Sequence, residues 1–163
     1  MRSLPDTGCG NGMLSDTPWA YSVHPLTAIT LPWRVRRRLR SVRKKHQTGM
    51  ILYGIIRQGP RSISSKIPVV GVTEGRRSLA ACSTTSHRPK WVALAPGVHD
   101  LLFLASRSAS SSSLRKRVTL RGEDVLVAIC EPVQPWTIFA RSPTVDTWYL
   151  GVIDSAGEIR PIG

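Results

Sequence analysis

Eight of the twelve residues from position 34 to position 45 are cationic: Arg34, Arg36, Arg37, Arg38, Arg40, Arg43, Lys44 and Lys45. Guanidinium groups present planar forks that match phosphate and carboxylate oxygens, and a cluster of them neutralises a polyanion without reading its sequence. Trp33 stands immediately before the cluster. An indole beside cations supplies an apolar anchor, or a face on which a nucleic-acid base stacks. Trp33 and these eight cations therefore form the candidate polyanion-binding set.

The other reactive side chains are dispersed. His24, His46, His87 and His99 have no second His, Cys or carboxylate at metal-ligand spacing beyond Asp100. Asp100 and His99 are neighbours, and neighbours on a strand point to opposite faces. His99 is expected to brace a turn through a hydrogen bond. Cys9, Cys82 and Cys130 are too few and too scattered for a disulfide framework or paired zinc ligands. They read as buried or idle thiols, with a bridge between Cys82 and Cys130 as the alternative. The pair Glu123 and Asp124, following Gly122, reads as a solvated turn tip. The chain contains no G-x-S-x-G elbow, no G-x-x-x-x-G-K-[ST] cradle and no G-x-G-x-x-G loop. It is accordingly read as non-enzymatic, with no catalytic residue, metal site, cofactor or small-molecule substrate.

The elements that must carry the basic cluster follow from composition and punctuation. A length of 163 residues suits one domain of ordinary size with an appendage. The apolar fraction of 41%, diluted by 12 Pro and 13 Gly, predicts that part of the chain lies outside the core. The formal net charge of +13 is unevenly placed: positions 17–73 hold no acidic residue and 11 basic ones, whereas from 118 onward six acids face three arginines. A basic front joined to a mildly acidic back can reach an external polyanion or dock one half on the other. No stretch approaches the ~18–20 apolar residues of a membrane-spanning helix, and the best run, 50–56, is interrupted by Gly54 and ended by Arg57. The first residues are polar and Gly-rich, unlike a signal peptide. The expected location is cytoplasmic, with peripheral association on an anionic membrane open to the basic segment.

Along the chain, residues 1–31 read as extended or disordered, because Pro5, Pro18, Pro25 and Pro32 recur too often for a helix. Trp19 and Tyr21 are candidates to clip this segment to a surface. Over 33–46, Val35, Leu39 and Val42 stand at i, i+4 and i+7, which predicts a short basic amphipathic helix stopped by Gly49. Three apolar residues make a thin stripe, so the helix is expected to fray without a counter-charged surface. Strands are expected at 49–57, 66–74, 79–82, 90–94, 98–105, 114–120 and 125–130, with reversals at Gly75, at Pro96-Gly97 and at Gly122. Pro68 suggests that the second of these strands starts there or lies at an edge. The serine-rich segment 106–113 is expected to be a flexible loop. The Pro-spaced aromatic segment from 131 onward, with Trp136, Phe139, Trp148 and Tyr149, is expected to strap a sheet face or edge. The predicted organisation is a mobile basic arm at 1–47, a sandwich at 48–150 and a tail at 151–163.

The segment 91–129, with WVALAPGVHDLLFLAS and RVTLRGEDVLVAI, resembles PEGA-type domains and related small bacterial domains. In these a strand ends in PG-x-H, the next strand follows, and a GE turn introduces a last strand. Ala95, Pro96, Gly97, Val98 and His99, with Gly122 and Glu123, are the matching positions. The resemblance implies a small antiparallel β-sandwich, immunoglobulin-like in build, that serves as an accessory module near surfaces or partners. The tyrosine-rich element usual in the family is replaced here by the serine segment, and the basic front has no counterpart in the pattern. Two functions are consistent with these features. One is an interaction module whose basic arm docks on a partner protein, on another copy of the chain, or on an anionic surface. The alternative is a non-specific nucleic-acid-binding protein that uses the cluster 34–45, although no zinc finger, aromatic RNP strand or helix-turn-helix spacing is present.

Overall fold

A computed structural model describes residues 20–55, 69–83, 88–107, 110–132 and 145–162. The chain is mainly β, and its strands form two sheets. The first is six-stranded and contains β1 (Ala20–Pro25), β2 (Gly49–Gly54), β5 (Lys90–Ala93), β8 (Val125–Glu131), β9 (Val145–Ile153) and β10 (Ile159–Arg160). Its order is β10-β9-β8-β2-β5, with β1 alongside the first part of β9. The β2–β8 and β1–β9 pairs are parallel, and the rest are antiparallel. The second sheet is four-stranded and antiparallel, in the order β4 (Arg77–Ser83), β3 (Val69–Glu74), β6 (Gly97–Arg107) and β7 (Ser110–Leu120). The sandwich expected from the turn-punctuated apolar runs is the fold adopted.

The unbroken apolar runs at β2 and β8 follow from coverage of both faces of the first sheet. Met50, Leu52, Leu126, Ala128 and Cys130 point between the sheets, where they meet Val70, Val72, Phe103 and Trp148. Ile51, Tyr53, Val125, Val127 and Ile129 point the other way, where they meet Val35 and Val42. The outer face is thus covered by α1 (Trp33–Lys44), the helix expected at 33–46. Instead of hanging from a mobile arm, α1 is docked: Val35 is 0% exposed, Val42 is 2% exposed, and Leu39 packs half-buried between them. Three apolar residues suffice because they join one apolar cluster with Ile51, Tyr53, Val125, Val127 and Ile129, and full burial of a Val contributes on the order of 1.5–3 kcal/mol.

Several expectations are corrected by the architecture. The helix is not stopped by Gly49, which opens β2. It ends where His46 turns left-handed at φ 55°, with the His46 and Gln47 N–H groups donating back to the Arg43 and Val42 carbonyls. Residues 20–25, expected outside the core, form β1, because a parallel ladder to 145–150 satisfies the backbone whatever the side chains are. Leu26 then packs at Gly151, where a Cβ would lie 2.8 Å from the Leu26 Cβ. The described residues of the serine segment are not a loop but paired strand ends, with Ser106 opposite Ser111, Ala105 opposite Ser112 and Leu104 opposite Ser113, while 108–109 lie outside the described residues. Ser112 Oγ donates to the buried carboxylate of Asp146. Trp148 and Tyr149 belong to β9 inside the sheet rather than to a strap, and Trp148 meets Phe103 edge-on with ring centroids 5.4 Å apart. Trp19, Trp136, Phe139 and Pro68 lie outside the described residues. The expected limit of the sandwich at 150 is also short, since β9 continues to Ile153 and pairs with β10.

The turns are held by side chains. His99 braces the turn before β6, with its ring nitrogens 2.7 Å from Glu74 Oε2 and 2.7 Å from the Ala95 carbonyl. Cys82 and Cys130 are buried thiols that are not bridged, and Cys9 lies outside the described residues. Asp124, expected at a solvated tip, is 2% exposed and accepts from the Arg121 N–H and from Arg160 Nη2, both at 2.8 Å. Its neighbour Glu123 does face solvent, where it meets His46 Nδ1 at 3.1 Å.

Candidate polyanion-binding site

Docking through Val35, Leu39 and Val42 turns the opposite surface of α1 outward, so Arg36, Arg37, Arg38, Arg40 and Lys44 are exposed together with Lys45 at its end. Among the described residues none of these six has an ion-pair partner. Like charges stand one turn apart in Arg34 and Arg38, in Arg36 and Arg40, and in Arg40 and Lys44, and each such pair costs a few tenths of a kcal/mol. The first turn contains no acid to offset this, although Arg43 and Lys44 in the last turn suit the helix dipole. The repulsion is borne by the apolar contact beneath. A free helix of this sequence would fray, whereas the docked one holds its cations in fixed array.

The nine residues expected to act together divide into three groups. Trp33, Arg34, Arg37 and Arg38 converge on an open cleft of about 320 Å³, together with Ser41, Arg88 and Pro89. Arg36, Arg40, Lys44 and Lys45 extend the cationic surface along the helix. Arg43 is half-buried, and its Nη2 donates to the Asp154 carbonyl, which ties the helix to the turn after β9. Arg43 therefore serves position more than contact.

Within the cleft, Arg34 lies over the Trp33 ring with its Cζ 4.6 Å from the centroid, a cation–π contact. Trp33 nonetheless remains 54% exposed. Beneath Arg34, burial raises the Tyr53 phenol pKa above its ordinary value, and the Arg34 charge works against that rise. Arg88 and Pro89 were not legible as site residues, because they precede β5 at the far side of the first sheet's order and only the fold brings them to α1. The Arg88 carbonyl lies 3.6 Å from the buried Cys82 Sγ, which anchors the backbone of that wall to the core. No carboxylate lines the cleft.

The arrangement can bind anions and present an aromatic face. Among the described residues no three His, Cys, Asp or Glu side chains converge as metal ligands, and no helix is long and apolar enough to cross a membrane. No protein-family model, curated protein or solved structure matches the chain.

Proposed function

We propose that this protein is a non-enzymatic binding module whose docked basic helix attaches it to a polyanionic partner. The observation that carries the reading is the outward surface of α1, where six cations without ion-pair partners among the described residues are fixed in place by apolar contacts on the opposite side. Repulsion at that surface is a local cost with no folding benefit, and such departures from local consistency mark functional surfaces. Attachment is electrostatic and independent of sequence, with the phosphate backbone of a nucleic acid as the polyanion that best suits a guanidinium array.

The test is a charge reversal. The triple substitution Arg37→Glu, Arg38→Glu, Arg40→Glu should abolish retention on immobilised heparin while leaving the near-ultraviolet circular dichroism unchanged. Retention equal to that of the native chain would remove α1 from the account.

A further inference from the structure

We infer that the cleft at the start of α1 is a binding site for one unpaired nucleotide, so the protein selects single-stranded over double-stranded nucleic acid. The inference rests on the polyanion reading above and narrows its ligand class. A run of helix-borne arginines alone would treat single strands and duplexes alike, since both display phosphates. The cleft adds what such a run lacks. It combines a half-exposed indole and the ring of Pro89 with the guanidinium groups of Arg34, Arg37 and Arg38 from α1 and of Arg88 from the stretch before β5. Arg34 occupies one side of Trp33, and the exposed remainder of the ring is where a base continues the stack.

Size and chemistry agree with this ligand. A volume of about 320 Å³ stands at the low end of ligand clefts, which run from about 300 to 1,000 Å³. That space admits a nucleoside unit and excludes a duplex, whose bases are already stacked on one another. The lining offers no carboxylate or amide side chain to read a base edge, and Ser41 is its sole neutral polar side chain. The site therefore grips through stacking and phosphate contact, as single-strand binders do, and guanine is the one base whose edge its guanidinium groups can also read. The cations at Arg36, Arg40, Lys44 and Lys45 continue from the cleft along α1 and supply a track for the phosphates that follow.

The experiment compares labelled homopyrimidine DNA, homopyrimidine RNA and a mixed-sequence duplex by fluorescence anisotropy, using the full chain, Trp33→Ala, Trp33→Phe and Arg88→Gln. Single strands should bind more tightly than the duplex. Trp33→Ala should weaken single-strand binding by roughly 5- to 150-fold, the range set by loss of one stacked base, and leave duplex binding unchanged. Trp33→Phe should restore most of the loss, and Arg88→Gln should weaken single-strand binding although Arg88 lies outside the helix. The DNA and RNA arms report which strand is preferred. Equal binding of duplex and single strands with no effect of Trp33→Ala would overturn the cleft while sparing the polyanion reading. Binding to phosphatidylserine vesicles with none to any oligonucleotide would also overturn it, and absence of binding to oligonucleotides, vesicles and heparin alike would sink both readings.

Discussion

Replacing Val35 by Ala discriminates a docked helix from a mobile basic arm by the sign of the effect. Val35 is fully buried against the outer face of the first sheet. The substitution removes two methyl groups, which costs about 1.6 kcal/mol in transfer free energy at ~0.8 kcal/mol each. The void left behind adds roughly 1 kcal/mol, since neighbouring side chains relax only in part. Alanine is the better helix former by about 0.5 kcal/mol, which offsets some of this. A net loss of about 2 kcal/mol is expected. In urea, with a slope of about 2 kcal/mol per molar for a chain of this size, the unfolding midpoint should fall by about 1 M. Helix circular dichroism and intrinsic tryptophan fluorescence should shift together, because α1 and the sheet beneath it share one apolar cluster. An undocked helix would respond in the opposite direction, with propensity alone raising its helicity. A midpoint that stays put or rises would refute the docking.

Other residues give independent checks. A Cβ at Gly49 would lie 2.2 Å from the Val92 carbonyl oxygen and 2.7 Å from Trp91 Cη2, so Gly49→Ala should destabilise by roughly 1–3 kcal/mol and lower the thermal midpoint by several degrees. Asp124→Ala leaves the Arg121 N–H without its acceptor and takes the buried carboxylate from Arg160, which keeps only the Thr119 carbonyl, and calorimetry should register a loss of roughly 1–3 kcal/mol. Burial raises the Tyr53 phenol pKa, so the folded state keeps its proton while the unfolded chain ionises above about pH 10. Stability is therefore expected to fall as pH rises through that value. Denaturant titrations at alkaline pH should show this slope flattened by Tyr53→Phe, and the absorbance titration of Tyr53 should move higher still in Arg34→Gln, which removes the opposing charge.

Where the sequence predicts the fold, the prediction rests on side chains that are buried on both sides or reversed by a special turn. The runs at β2 and β8 are apolar without alternation because the core and α1 claim alternate residues. Pro96-Gly97 marks a break between strands, with Gly97 at φ 137°, but β5 and β6 on either side of it join different sheets instead of pairing with each other. Strands held by backbone pairing left no such trace. β1 is polar and Pro-flanked yet completes a parallel ladder, and the serines of β7 are aligned by the long hairpin partner rather than by their own β preference. Asp124 looked like a solvated tip because its partner Arg160 comes from β10, far along the chain. The site was legible to the same degree. Its helix-borne half is local and could be named residue by residue from charge and spacing. Arg88 and Pro89 could not, since nothing in a single sequence tells which later segment will lie beside Trp33.

The decisive measurement is the salt dependence of single-strand binding. Each phosphate neutralised contributes about −0.7 to the slope of log affinity against log salt, so four to six contacts along the cleft and α1 predict a slope of roughly −3 to −4. In the Arg37→Glu, Arg38→Glu, Arg40→Glu variant the slope should collapse along with the affinity. A shallow slope in the native chain, or the same slope in the variant, would contradict the assignment of α1 as the polyanion contact.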